Sequence, residues 1–173
     1  MTLATDRVPS HEFELVRLFD APRDLVFKAW AHERYVALWW GVDGATNSRC
    51  DLDVRPCGAW RTDMRTASGV VSPNCGFFLE VVTNERLVDN DILDPESVAL
   101  AGAPRGPIVY TEDVEAGGTK VSLVVRADSA ADRDRLLEQP MREGMEQGLD
   151  RLGRLLGELT LFVNGASTRS TLQ

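Results

Sequence analysis

Apolar and polar positions along this chain follow two periods, and the changes between them mark out its elements. EFELVRLF, Glu12 to Phe19, alternates in part and carries Phe and Val, which predicts a first strand. Asp20-Ala21-Pro22 then has the form of a helix start, with Asp20 as N-cap candidate and a proline near the first turn. RDLVFKAWA places Val26, Ala29 and Trp30 at helical spacing. HERYVALWW places Tyr35, Leu38 and Trp39 on one side of a second short helix, which Gly41 closes as C-cap candidate. Adjacent positions cannot share one face, so of the neighbouring Trp39 and Trp40 at least one ring looks away from the main core.

From Gly44 onward the period becomes that of strands. Runs over Asn47–Val54, Ala59–Thr66, Val70–Val82, Arg86–Leu93, Ile108–Glu115 and Thr119–Ala127 are parted by turn residues. Pro56-Cys57-Gly58 and Ala67-Ser68-Gly69 break the pattern, and Glu115-Ala116-Gly117-Gly118 supplies the positive-φ residues of a tight hairpin. Six strands in succession predict an antiparallel meander. Residues 94–107, DPESVALAGAPRGP, are the one long interruption, either a binding loop or cover or a plain insertion.

Beyond Ser129 the period lengthens again. Leu137, Met141, Met145, Leu149, Leu152, Leu156 and Leu159 recur at steps of three or four, predicting a long helix from Ser129 to Leu161 capped by Ser129 and Asp132. Pro140 should kink or divide it. Asn164 to Gln173 read as a disordered tail. The helix must bury its stripe on the concave face of a strongly twisted seven-strand sheet. Gly144 and Gly148, each costing about 1 kcal/mol against alanine in a helix, signal space kept open there or close backbone approach.

Several stretches carry a resemblance in a fixed order. DAPRDLVFKAWAHERYVALWWG (residues 20–41), DLDVRPCGAWRTDMR (51–65), PNCGFFLEV (73–81), NERLV (84–88), GGTKVSL (117–123) and MREGMEQGLDRLGRLL (141–156) resemble the activator of heat-shock-protein-90 ATPase homologue-like family. That family is a branch of the START-like (SRPBCC) superfamily. The resemblance implies an α+β helix-grip fold, of the birch-pollen-allergen-like kind: a seven-stranded antiparallel sheet around a long C-terminal helix, with two short helices after strand 1. It implies one such domain over residues 10–162, a tail over 163–173, and a deep hydrophobic cavity. In different relatives that framework binds lipids, sterols or polyketides, cyclises or dehydrates aromatic intermediates, or regulates a chaperone. The co-chaperone role belongs to larger members with an additional N-terminal domain, for which this chain has no room. The chain departs from the pattern at Asp89 and Asp91, where aromatic residues are frequent, and at Pro140.

Composition narrows the partners. An apolar fraction of 43% and a charged fraction of 27% over 173 residues suit a packed globular domain. The net charge of −8 repels nucleic acid and anionic membrane surfaces. No run is long enough for a membrane helix, and the N-terminus lacks a basic start with an apolar stretch behind it, so a cytoplasmic protein is expected. Cys50, Cys57 and Cys75 form no CxxC pair, and His11 and His32 stand far apart. Free thiols are expected, with no metal, no cofactor and no histidine-based nucleophile system.

Candidate chemistry sits around the expected cavity. In the resembling family the WWG turn closes the second helix against one end of the sheet, which implies that one indole of Trp39 and Trp40 faces the cavity and the other packs outside. Strand alternation puts Trp60, Thr62 and Met64 on the inner face. Phe78 shares a strand face with Glu80, and Met141, Met145 and Leu149 face the sheet from the long helix. Such a lining suits a small hydrophobic or aromatic ligand, and the same residues could equally be closed core. Glu80, Asp89 and Asp91 are candidate interior carboxylates with raised pKa, and Tyr110 a candidate donor. The leading expectation is a ligand-binding domain. The alternatives are a cyclase or dehydratase-type enzyme using those four residues, and a chaperone-associated interaction module. Self-association through an edge strand or the aromatic turn stays open.

Overall fold

The computed structural model describes residues 11–92, 108–114, 117–138 and 141–170. In chain order these form β1 (Glu12–Phe19), α1 (Arg23–Ala31), α2 (Glu33–Trp39), β2 (Thr46–Leu52), β3 (Ala59–Arg65), β4 (Val71–Val82), β5 (Arg86–Ile92), β6 (Ile108–Asp113), β7 (Thr119–Arg126), α3 (Ala130–Glu138) and α4 (Met141–Ser170). Residues 94–107 lie outside the described residues.

Strands β2 to β7 pair in sequence as antiparallel neighbours, and β1 closes on β7, giving the order β1-β7-β6-β5-β4-β3-β2. This is the α+β helix-grip arrangement expected from the element order. Leu15 sits opposite Leu123 and Phe13 opposite Val125, so the alternation in β1 turns its apolar set onto one face with that of β7. Helix α4 packs against α2, α1 and β1. Its stripe of Leu149, Leu152 and Leu156 joins a core with Phe13, Leu15, Phe19 and Phe27, and Leu152 is fully buried. Burying each such leucine stabilises the fold by about 1.5–3 kcal/mol.

Local details differ from expectation at three places. Helix α1 begins at Arg23 with Pro22 as N-cap and no side-chain cap, so Asp20 is not the cap. In α2 it is Val36, with Tyr35 and Trp39, that is buried, while Leu38 is 59% exposed. The long helical pattern divides beside Pro140, as expected: α3 ends at Glu138 and α4 starts at Met141, with Pro140 itself outside the described residues. Ser129 does cap α3, its Oγ accepting from the Asp132 backbone N–H at 3.1 Å. Finally, α4 continues through Ser170, where a tail was expected from residue 163. No proline interrupts that stretch, and extending an existing helix fixes one residue per hydrogen bond gained.

Candidate ligand recess

A recess opens between the two short helices and the middle strands. All four tryptophans of the chain line it: Trp30 from the end of α1, Trp39 from α2, Trp40 from the turn after it, and Trp60 from β3. Their rings form a connected series, Trp30 to Trp39 at 4.5 Å between centroids, Trp39 to Trp40 at 5.5 Å and Trp40 to Trp60 at 6.3 Å. The first two contacts are edge-to-face, a geometry worth about 0.5–1.5 kcal/mol beyond buried area. Val36, Leu52, Phe78, Leu87 and Val109 complete the apolar wall, and Thr62 and Asp89 are its polar members. The cavity at its base has a volume of about 40 Å³.

The turn that carries the paired indoles is held from several sides. Gly41 has φ +101°, which calls for glycine, and the Met64 sulfur packs into the space a Cβ would take, 2.5 Å from that position. Asn47 Nδ2 donates to Ala37 O at 3.2 Å and to Trp40 O at 2.9 Å. From α4, Arg151 donates to the carbonyls of Val42 at 2.7 Å, Leu38 at 2.9 Å and Ala45 at 3.0 Å. At Gly148 a Cβ would lie 3.6 Å from Gly41 O and 3.9 Å from the Trp39 ring, ordinary contact distances that an alanine could keep. The tighter approach is at Gly144, where a Cβ would lie 3.2 Å from Val42 Cγ1.

Two indole N–H groups differ from a third. Trp39 Nε1 donates to Ala29 O at 2.9 Å. Trp30 Nε1, Trp60 Nε1 and Thr62 Oγ1 are buried and have no hydrogen-bond partner among the described residues. Gly76 makes the Trp60 position possible, because a Cβ on it would lie 2.7 Å from Trp60 Nε1 and overlap the Asn90 carbonyl.

The sequence-derived candidates distribute unevenly. Trp39, Trp40, Trp60, Thr62, Phe78 and Asp89 come together in the recess. Both indoles of the pair line it, where one was expected to pack outside. Met64 shares the inner face of β3 but lies under the Gly41 turn. The C-terminal helix supplies no lining residue among those described: Leu149 is closed core, Met145 packs half-buried against that core, and Met141, the first residue of α4, is 41% exposed. The expected cavity between sheet and C-terminal helix is therefore displaced toward α1 and α2, since the α4 leucines fill the other end.

Glu80 lies outside. Leu79 is a bulge residue, for Phe78 pairs with Asp89 while Glu80 pairs with Val88, and this extra residue turns Val81 inward and Glu80 outward. Glu80 there makes a surface ion pair with Arg86, whose hydrogen bond holds the carboxyl below its ordinary pKa, the reverse of the raised value expected. Tyr110 stands opposite Arg86 in the β5–β6 register, its ring 6.0 Å from the guanidinium, on the outer face. Asp91 pairs with Gly76 along β5, and its side chain lies outside the described residues.

Trp30, Val36, Leu52, Leu87 and Val109 were not among the candidates. The tryptophan count was the available signal for the first; Val36 depends on which face of α2 turns inward, and the strand residues follow from registers that only pairing fixes. Burial pushes the Cys50 thiol up to about 11, with Glu33 and Asp51 adding to the shift, so it stays protonated and poorly nucleophilic. Among the described residues no cluster of three or more His, Cys, Asp or Glu could hold a metal ion, and no helix is long and apolar enough to cross a membrane.

Comparison with known proteins adds kinship to this geometry. The family profile described as "Activator of Hsp90 ATPase homolog 1-like protein" matches residues 20–157. No functionally curated protein matches the chain. Among solved structures, a protein from Nitrosomonas europaea is similar at 22% identity and TM-score 0.77, over 90% of this chain and 99% of that one. One from Mycobacterium smegmatis is similar at 19% identity and TM-score 0.75, over 88% and 95%. One from Arthrobacter aurescens is similar at 23% identity and TM-score 0.72, over 86% and 87%. At these identities the likeness is one of fold.

Proposed function

The chain belongs to the activator of Hsp90 ATPase homolog 1-like family, and on that footing we propose that it binds a small, mainly apolar molecule in the tryptophan-lined recess. The observation that carries this reading is the gathering of all four tryptophans on one open recess. Surplus aromatic surface around space, with a few polar groups among it, is the composition of a ligand site. The START-like framework is one of ligand-binding domains, which supports the same assignment.

Size limits the occupant. A water needs roughly 10–15 Å³ of cavity, so the 40 Å³ here takes about three water-sized groups. An engineered void that takes benzene is about 150 Å³. The ligand therefore is small, or inserts a small head and leaves its remainder in the mouth.

A titration of the purified protein with short-chain alkenes, cycloalkanes and cyclic ketones, followed by tryptophan emission, tests this. Saturable change is expected in the wild type and none in Val109→Trp, which fills the recess. If no member of the panel produces a saturable change in a folded wild-type protein, the binding reading fails.

Asp89 favours one second reading, since among the described residues it is the proton-transfer candidate that lines the recess. An enzyme acting through it would lose turnover in Asp89→Asn while keeping ligand affinity. An interaction module would instead fill its interior, and the open recess weighs against that.

A further inference from the structure

The charge of the recess is one-sided. Asp89 is the charged member of its lining, and no Lys, Arg or His lines it among the described residues. Along β5, Leu87, Val88 and Asn90 are buried, whereas Asp89 in their midst is only half-buried. Asp89 stands opposite Phe78 in the β4–β5 register and shares a strand face with Leu87. Phe78 and Leu87 both line the recess, so the surface that Asp89 keeps open is on the recess side. Gly76, the β4 residue between Trp60 and Asp91 in register, carries no side chain, and the Trp60 indole lies over it toward β5. Nothing on that strand position therefore stands between the indole and the strand of Asp89.

The rest of the wall is rich in π electrons. From Trp30 through Trp39 and Trp40 to Trp60, successive ring planes turn by 61°, 65° and 59°. None of these neighbours is stacked face on face, which is the arrangement of walls about a space. Trp40 is half-buried and the other three are buried, so Trp40 forms the rim and the others the base.

A carboxylate partly out of water beside indole rings has one complementary kind of ligand. An anion would meet Asp89 at like charge, and a neutral apolar group would displace water from the carboxylate and replace it with nothing. A cation is favoured twice, by opposite charge and by the ring quadrupoles, of which that of tryptophan is the strongest. An ionised carboxylate has about four acceptor positions, so the contacts Asp89 makes within the fold leave capacity for a ligand. Resting on the small-ligand reading above, we infer that the recess takes a free alkylammonium ion, its alkyl groups against the indoles and its charge beside Asp89. Such an ion is apolar over most of its surface, and a protein of net charge −8 draws it in. The 40 Å³ base holds the nitrogen and two of its carbon substituents, and the remainder lies in the mouth.

The test compares choline with its uncharged isostere, in which a tert-butyl group replaces the trimethylammonium; shape is kept and charge removed. Affinities are read from tryptophan emission and from the methyl proton resonances of the ligand. Choline binds about tenfold tighter or more, the order of one desolvated cation–π contact, and its methyl protons move upfield under the indole ring currents. Added salt weakens choline and leaves the isostere level. Asp89→Asn narrows the ratio by about threefold or more without weakening the isostere, while Glu80→Gln, a carboxylate outside the recess, changes neither. Phosphocholine binds more weakly than choline, because its phosphate is repelled; tighter binding would overturn the free ion in favour of a lipid head group. Equal or tighter binding of the isostere overturns the inference and leaves the small-ligand reading intact, and so does binding of neutral cycloalkanes or ketones with none of choline. Failure of every ligand, charged and neutral, in a folded protein overturns both.

Discussion

Replacing Arg151 by methionine tests how the aromatic turn is held. The substitution keeps the aliphatic stem on α4 and removes the guanidinium that donates to Val42, Leu38 and Ala45. Two of those bonds are half-buried and one is exposed. A hydrogen bond involving a charged group nets about 1.5–3 kcal/mol when protected and less when wet, so the loss is about 3 kcal/mol. Burial pushes the Arg151 pKa down from its ordinary value while Asp43 pulls it up, so the guanidinium remains the charged donor in any accessible pH. For a domain of this size 1 kcal/mol moves the thermal midpoint by roughly 2–4 °C, which gives a fall of about 6–12 °C by circular dichroism at 222 nm. Since the three carbonyls belong to the segment bearing Trp40, the near-ultraviolet signal should weaken before global unfolding. A fall under about 2 °C would refute the clamp, and so would full recovery in Arg151→Lys, whose single ammonium lacks the planar fork.

Three further predictions follow from the recess and its surroundings. Gly76→Ala drives a Cβ into the Asn90 carbonyl and the Trp60 indole; because the clash is partly with backbone, a loss at or above about 3 kcal/mol is expected in urea unfolding. The Cys50 thiol, raised from 9.0 to about 11, favours the folded state below pH 9 and loses that contribution as pH rises from about 9 to 11; Cys50→Ala should flatten the alkaline limb of the stability profile, and alkylation at pH 8 should label the exposed Cys57 first. Glu80→Gln should leave ligand affinity and any turnover unchanged. Its lowered pKa means the Arg86 pair contributes above the ordinary 4.5 and fades as pH falls below it, so acid unfolding of wild type and variant should differ only there.

The fold was largely legible because its elements are strongly patterned: the alternation in β1, the leucine stripe of α4 and the Ser129 cap each say the same thing locally and globally. The site was legible only in part. Strict alternation placed Trp60 and Thr62 correctly, and failed at Glu80 because one bulge residue, Leu79, shifts the count and carries no sequence mark of its own. The helix stripe identified Leu149 and Leu152 as inward, but not that they would close one end of the sheet and leave space at the other; that depends on how near α4 comes to the Gly41 turn. Whether Trp39 or Trp40 faced inward had no single answer, since a turn at the end of α2 lets adjacent residues converge where a continuous helix would separate them.

The chain of indoles has an optical consequence. Rings at centroid separations of 4.5, 5.5 and 6.3 Å are near enough to couple as one chromophore, and excitation absorbed by any of them passes to its neighbours long before it is emitted. Because the molecule has no tryptophan elsewhere, its ultraviolet spectrum carries no silent background from remote sites. The protein is in effect built with its own reporter, and the difference spectrum of any occupant is a direct view of the recess wall.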